Sequence, residues 1–410
     1  MKRLEEHLGE ILATLSPLPP LDLQLLDAHG LTLLEDVRAP YDLPSFDNSA
    51  MDGYAVRADD ITGASPDNPV VLPVTGDIAA GSSSAYAILP GLTARIMTGA
   101  PMPHYANAVV PVEWTDGGVA RVTITRAPQV GEHVRTAGDD VRAGDTVLVA
   151  GTPLGAAQIG LLAAVGRDRV RVQPKPRVVI MSTGDELVEP GHAVGTAQIN
   201  DSNSYLLACA AREAGAIVYR VGIVPDDPRR LLDTIEDQLI RADLVITTGG
   251  VSKGAFDVVK EVLTRLGTVK FDEVAMQPGK PQGFGTVGPD STPIFTLPGN
   301  PVSSFVSFEI FVRPALRRLA GISEEELFRP VVRARCLSAF PSAAGRRQLM
   351  RGWLAREGDG FVVSAVGGSG SHLIGQLARA NSLIVVPESV TQVPVGGTVE
   401  VMALDERVVA

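Results

Sequence analysis

Two cysteines in 410 residues, Cys209 and Cys336, are too few and too far apart for a disulfide framework or a Cys-x-x-Cys metal site. They are expected to be reduced core residues of a cytoplasmic protein. No apolar run reaches the ~18 residues of a membrane span. Met1-Lys-Arg-Leu-Glu-Glu-His7 leads into an amphipathic helix and not an apolar signal segment. The six histidines show no paired metal-ligand spacing, which argues against zinc. Positive charge is also short, with 36 Lys and Arg against 47 Asp and Glu and a formal net charge of −11. Non-specific nucleic-acid binding, which needs clustered cations, is thereby disfavoured. A phosphorylated ligand is still allowed, because a local site can oppose the net charge. Three fingerprints are missing as well: a P-loop, a Gly-x-Gly-x-x-Gly after the first strand of an α/β unit, and a Gly-x-Ser-x-Gly elbow.

What is present is turn-rich and multidomain. The length suggests about two to four domains, and 42 glycines and 30 prolines imply many turns and short strands. Leu4, Leu8, Ile11, Leu12 and Leu15 share one helical face, and Pro17, Pro19 and Pro20 stop that helix. A second short helical segment, ended by Gly30, is expected to follow. Next comes Pro40 to Val56, a stretch in which acids, an amide and hydroxyls crowd around apolar anchors. Short alternating runs at 70–74, 93–98, 108–112, 119–126 and 146–148 describe a small β-rich domain. A helical pattern returns at 155–165, and it is expected to pack with the first helix so that the β-rich segment is an insertion. Beyond residue 329 alternating runs resume at 331–336, 348–354, 361–366, 383–386 and 398–402, the pattern of a small terminal β domain.

Between these lies strand–loop–helix alternation from 176 to 328. It implies a mostly parallel, doubly wound α/β domain with helices on both faces. The expected division is therefore a helical linker domain (1–42 with 150–175), an inserted β-rich domain (43–149), the α/β domain (176–328) and a terminal β domain (329–410).

The chemistry collects directly after the predicted strands. Thr183-Gly-Asp-Glu186, Asp226-Asp227, Thr247-Thr-Gly-Gly250, Gly279-Lys280 and Pro298-Gly-Asn-Pro301 all occupy such positions. In an open parallel sheet the carboxyl ends of the strands line one edge, where ligands bind. Taken alone, Gly249-Gly250 followed by Ser252, Lys253 and Asp257 reads equally as an anion-binding turn or a plain strand-to-helix turn. Set among its neighbours, it joins Glu186, Asp226 and Asp257, oxygen donors of the kind Mg²⁺ uses, to Lys280 and loop N–H groups that oppose phosphate charge. A divalent metal between carboxylates and an anionic substrate reconciles the two.

With Asp47-Asn-Ser-Ala-Met-Asp-Gly-Tyr-Ala55, Ile96-Met-Thr-Gly-Ala100, Ser182-Thr-Gly-Asp-Glu-Leu187, Thr248-Gly-Gly-Val-Ser252 and Leu297-Pro-Gly-Asn-Pro-Val-Ser303 in this order, the chain resembles the molybdopterin molybdenumtransferases (the MoeA family, and the E domain of gephyrin). The resemblance implies Mg²⁺-dependent insertion of molybdate into adenylylated molybdopterin, with release of molybdenum cofactor and AMP. It also implies a homodimer of four-domain chains, with the site between the α/β domain of one chain and β-rich parts of the other, and contacts with other cofactor-biosynthesis proteins. Nucleic acid and membrane are not expected partners. Asp52, Asp140, Glu186, Asp226 and Asp257 match the family's functional acids, the last three as metal ligands. Thr98, Lys280 and Arg351 match its threonine, an anion-contacting lysine and a basic residue of the terminal domain. Thr183, Gly184, Gly249, Gly250, Ser252, Pro298, Pro301 and Ser371 complete the expected substrate-binding set.

The chain departs from the family pattern in two places. Gln277 stands where many members carry a second lysine, and Gly375-Gln376 stand where serines are often found, so that Ser369 or Ser371 would substitute. Two other readings compete with the transferase: a non-catalytic molybdopterin-binding scaffold, and a nucleotide amidohydrolase sharing the α/β domain. The second leaves the Asp47–Ala55 motif unexplained. If Lys253 compensates for Gln277, Lys253→Ala is expected to raise the molybdate requirement and leave the Mg²⁺ dependence unchanged. A titration of both ions in the cofactor-forming reaction measures this, and an unchanged molybdate requirement would refute it.

Overall fold

The computed structural model describes residues 1–82, 86–250, 258–265 and 269–409. The chain forms two compact units, one of residues 1–19 with 173–410 and the other of residues 20–172.

In the first unit, α1 (Leu4–Ala13) precedes an alternating series: β1 (Arg177–Thr183), α2 (Asn203–Glu213), β2 (Ile217–Val224), α3 (Pro228–Leu239), β3 (Leu244–Thr248), α4 (Val258–Arg265), β4 (Val269–Glu273), β5 (Pro281–Val287) and β6 (Thr292–Leu297). The sheet order is β2-β1-β3-β6-β5-β4. Its first four strands are parallel, and β5 runs antiparallel to both β6 and β4. The sheet is thus mixed and not simply doubly wound, because Pro281–Val287, unanticipated as a strand, returns directly beside β6. The strand β4 ends at Glu273.

Side-chain alternation builds the three layers. Val178 and Ile180 of β1, Leu244 and Ile246 of β3, and Phe295 and Leu297 of β6 face a core shared with α1, α2 and the segment 301–319. Val179, Met181, Val245 and Ile294 face the opposite way, against Leu231 and Ile235 of α3 and Val259 and Leu263 of α4. Each fully buried aliphatic side chain contributes about 1.5–3 kcal/mol relative to exposure, so both helical layers are held firmly. Leu4, Ile11 and Leu15 belong to the first of these cores, which places the N-terminal helix on the α/β domain and not with the helix at Ala156–Ala164.

Local signals start and stop these helices. The Asp227 side chain accepts the N–H of Arg230 at 2.8 Å, and Pro228 occupies the first helical turn. The helical segment up to Leu319 is α5 (Pro301–Ser307) and α6 (Arg313–Leu319) joined by a π-helical turn at Phe308–Val312. Pro314 has no N–H and would press its ring on the carbonyl four residues earlier, and the wider turn relieves both conflicts.

The C-terminal segment contributes five strands to a six-stranded sheet. Arg347–Glu357 pairs with Gly360–Ala365 through its second half and with Ser382–Val386 through its first, which closes the sheet into a barrel. Gly352 sits at the changeover, where a Cβ would come within 2.9 Å of Ile384 and Ser382 and 3.0 Å of Val363. The barrel is joined to the α/β domain by backbone: Met276–Gln277 pairs in parallel with Arg347 and Gln348.

In the second unit, a five-stranded sheet has the order Ala108–Pro111, Gly53–Val56, Thr93–Ile96, Val70–Ile78, Arg121–Ile124. Gly53–Val56, at the end of the polar stretch 40–56, is a fully buried strand. The helix expected before Gly30 is instead the strand Leu21–Gln24, paired with Arg169–Gln173. Cys209 is exposed and Cys336 buried, both with free thiols, so only one is a core residue. No described helix is long and apolar enough to cross a membrane.

Crowding at the barrel changeover should be visible in stability. Gly352→Val is expected to lower the thermal midpoint, since overpacking costs about 1–3 kcal/mol. Gly375→Ala, with open space around it, is expected to leave the midpoint unchanged or slightly raised. Equal midpoints for the two variants in a thermal melt would refute the assignment.

Candidate functional site

The strands β1, β3 and β6 end level with one another. Ser182 is in register with Thr248, and Thr248 with Leu297. From β1 the chain crosses to β2 on one side and later to β3 on the other, so β1 and β3 flank a topological switch point. The loops there are pressed together. Gly249 has φ +101°, and a Cβ on it would lie 2.5 Å from the Thr183 carbonyl oxygen. Thr183 Oγ1 donates to the Thr248 carbonyl at 3.4 Å, and Asn203 Nδ2 donates to Thr248 Oγ1 at 3.0 Å and the Gly299 carbonyl at 2.6 Å. The Asp201 carboxylate, fully buried, accepts from Ser182 Oγ and the Ser204 N–H and so anchors the start of α2.

These loops open on a cavity of about 680 Å³. Thr183, Gly184, Glu186, Asp226, Gly249, Gly250, Lys280 and Pro298, drawn from all five post-strand loops, line it together with Ser371 of the C-terminal segment. Pro301 lines an adjoining crevice of about 80 Å³. Ser252, Lys253 and Asp257 lie outside the described residues. The glycines act differently from expectation: the Gly184 N–H donates to Val224 at 3.4 Å and the Gly249 N–H to Leu297 at 3.1 Å. These two close the strand ends by tight packing instead of presenting donors to a ligand.

The charges on the cavity wall are mixed. Glu186 and Asp226 are exposed carboxylates, and the Asp226 N–H donates to Asp185 Oδ1 at 3.2 Å. Lys280 Nζ lies 3.0 Å from Glu273 Oε2. Among the described residues no group of three or more His, Cys, Asp or Glu side chains could hold a metal by itself. Glu186 and Asp226 offer two hard oxygen donors, a number suited to Mg²⁺ when waters and substrate phosphates complete its shell.

Arg351 is not on the wall. It is buried, and its guanidinium donates to the carbonyls of Val366, Gly368 and Gly370. Burial pulls its pKa below the ordinary arginine value. It shapes the glycine-rich loop that carries Ser369 and Ser371, and Ser371 is tied to α5 through Asn300 Nδ2 at 3.0 Å and the Val302 N–H at 3.0 Å. The basic residue of the barrel that does reach the cavity is Arg346, which sequence reasoning missed. Its one signal was the Arg346-Arg347 pair just before an apolar alternating run.

Asp52, Thr98 and Asp140 belong to the second unit. Asp52 Oδ1 accepts the Thr98 N–H at 2.7 Å and the Thr98 hydroxyl at 2.8 Å, and these bonds hold its carboxyl below the usual aspartate range. Asp140 is exposed, with its N–H bonded to the Leu43 carbonyl at 3.0 Å. The Asp47 motif is laced to the loop before Asp140, since Ala137 N–H donates to Asp47 Oδ1 at 2.8 Å and Asn48 pairs with Arg135.

With this geometry in place, the comparisons with known proteins decide the family. The chain matches "MoeA N-terminal region (domain I and II)" over residues 2–166, "Probable molybdopterin binding domain" over 179–318 and "MoeA C-terminal region (domain IV)" over 333–404. It is similar to Molybdopterin molybdenumtransferase 1 of Mycobacterium tuberculosis (strain H37Rv), with 43% identity over 99% of this chain and 100% of the relative. The same organism's Molybdopterin molybdenumtransferase 2 is 45% identical over 98% and 100%. The chain belongs to the molybdopterin molybdenumtransferase family. A solved molybdopterin biosynthesis moeA protein from Pyrococcus horikosii has the same fold, with a TM-score of 0.74 and 32% identity over 98% of this chain and 99% of that one. Members of the family are enzymes of molybdenum cofactor biosynthesis, and this chain carries their domains along its whole length.

The Asp52–Thr98 contact has a measurable signature. Thr98→Val keeps the N–H donor and removes the hydroxyl, so the Asp52 pKa is expected to rise part of the way towards its ordinary value. A depressed carboxylate contributes stability present above its unfolded pKa and lost as pH falls through its folded pKa. The variant should therefore lose that contribution at a higher pH than the wild type. Carboxyl NMR titration reads the change, and an unmoved Asp52 would refute it.

Proposed function

We infer that the chain inserts molybdate into adenylylated molybdopterin in a Mg²⁺-dependent reaction that releases molybdenum cofactor and AMP. The observation that carries this reading is the pairing, in one cavity at the switch point, of two carboxylates with two cations. Glu186 and Asp226 stand with Lys280 and Arg346 around a space large enough for a pterin-sized ligand and its phosphates.

In this reading Glu186 and Asp226 hold Mg²⁺ against the substrate phosphates, with Asp257 as a third candidate ligand. The metal, when bound, supplies charge that polarises the phosphoanhydride and stabilises departing AMP. The protein's own part is positional. The close-packed glycines let the phosphates approach the strand ends, Asn203 and Asp201 keep the loops of β1, β3 and β6 in register, and the half-buried Lys280 opposes phosphate charge. Ser371, fixed by Asn300, offers a hydroxyl to the oxyanion. Asp52, Asp140 and Thr98 act from the inserted β-rich region. A homodimer in which one chain's β-rich region completes the other's α/β site is the arrangement that would bring them to the substrate.

The test is incubation with adenylylated molybdopterin, molybdate and Mg²⁺, followed by assay of AMP and active cofactor. Failure of the wild-type chain to release AMP would falsify the reading. Glu186→Ala and Asp226→Ala are each expected to abolish AMP release and leave the circular dichroism spectrum unchanged. Wild-type rates in either variant would remove that residue from the site.

A further inference from the structure

Lys280 reaches the cavity from the turn between β4 and β5, and its place in that turn is held from three directions. Glu273 is in register with Pro281 across the two strands, so residues 274–280 form the turn. The Val274 N–H donates to the Lys280 carbonyl at 2.8 Å, and Lys280 Nζ lies 3.0 Å from Glu273 Oε2. The third hold comes from Gln282, two residues further on, which does not line the cavity.

Gln282 is out of place by the rule that builds the rest of the sheet. Strand alternation puts it on the same face as Phe284, which packs toward the core shared with residues 301–319. At 2% exposure an apolar side chain is expected there, and a buried amide is costly unless its polar atoms are bonded. Gln282 Nε2 donates to the Gly279 carbonyl at 2.6 Å and to Ser307 Oγ at 2.6 Å. One acceptor belongs to the turn and the other to the last residue of α5. The close fit needs a glycine: Gly279 has φ +97°, and a Cβ on it would lie 2.8 Å from Ser307 Oγ. The same helix carries Ser304, whose hydroxyl donates to the Pro298 carbonyl and lies 3.1 Å from Thr248 Oγ1. The ends of β3 and β6 and the turn that bears Lys280 are thus all fastened to α5.

We propose that Gln282 is a positioning residue for substrate binding. By clamping Gly279 to α5 it sets the height of the Lys280 ammonium against the phosphates of the substrate, and it touches no substrate itself. This assignment rests on the reading of the cavity as the site for adenylylated molybdopterin. The phosphate charge that Lys280 opposes is present before any bond breaks, so loss of the clamp weakens binding of substrate and transition state alike. Such a loss raises KM and leaves kcat unchanged.

The experiment is a double-mutant cycle in the full chain with Gln282→Met, Lys280→Met and both together. Calorimetric titration of adenylylated molybdopterin reads binding, and AMP release at varied substrate reads kcat and KM. Gln282→Met keeps the length of the side chain and removes its donors. It is expected to weaken binding and raise KM about three- to tenfold, the span of one ordinary hydrogen bond, at unchanged kcat. Lys280→Met is expected to weaken binding at least as much. The double variant should bind no more weakly than Lys280→Met alone, because a clamp that acts through Lys280 has no effect once the ammonium is gone. Should Gln282→Met fail to fold, Ser307→Ala, which removes one acceptor, goes through the same cycle. Losses that add in the double variant, a fall in kcat at unchanged KM, or equal binding by wild type and the clamp variant, including binding by neither, overturn the proposal. A wild-type chain that shows the expected binding pattern yet releases no AMP would refute the transferase reading and leave Gln282 as the positioning residue of a phosphate-ligand site.

Discussion

A parallel sheet covered by helices on both faces has only its strand ends left for polar chemistry. Here that constraint is strict, because β1 and β3 are buried on both sides by alternating Val, Ile, Leu and Met. Hydroxyls within the strands, such as Thr247 and Thr296, are sealed inside. Everything able to touch a ligand is displaced to the level carboxyl edge, where Thr183, Gly249 and Pro298 meet. The close approach of Gly249 to the Thr183 carbonyl follows from the same levelness. Two loops leaving adjacent strands at one height must share space, and only a residue without a Cβ fits between them.

The barrel completes this edge by a backbone device. Pairing Met276–Gln277 with Arg347 and Gln348 fastens a loop of the α/β domain to a strand of the barrel, and the Ser371 bonds to Asn300 and Val302 fasten a second point. The result is a division of labour between two arginines. A buried guanidinium needs several acceptors, and the carbonyls of a glycine-rich loop supply them to Arg351. Arg346, less buried and held by its neighbours' backbone, lines the cavity.

The inserted region follows a related logic with different material. Its sheet is short and its chemistry lies in loops laced by side-chain acceptors. Asp47 takes the Ala137 N–H, and Asp52 takes both donors of Thr98. Glu186 and Asp226, by contrast, are exposed on the wall of the cavity. Carboxylates that cap local backbone and carboxylates that line a cavity are the same residue types, and their surroundings alone separate them.

Strand positions were legible in the sequence to within a few residues, because period-two burial writes itself into composition. Val331–Cys336 stands where alternation put it. The post-strand placement of Glu186, Asp226 and Lys280 was legible for the same reason, since a strand's end can be located without knowing its neighbours. The misread elements needed knowledge of partners. Leu21–Gln24 looked helical until Arg169–Gln173 paired with it. Pro281–Val287 is a strand only because β6 and β4 lie on either side. Arg346 and Arg351 differ in sequence by nothing that reveals burial. Local pattern determined where chain direction and polarity change. Which cation reaches the cavity was decided by long-range backbone pairing, which no local pattern encodes.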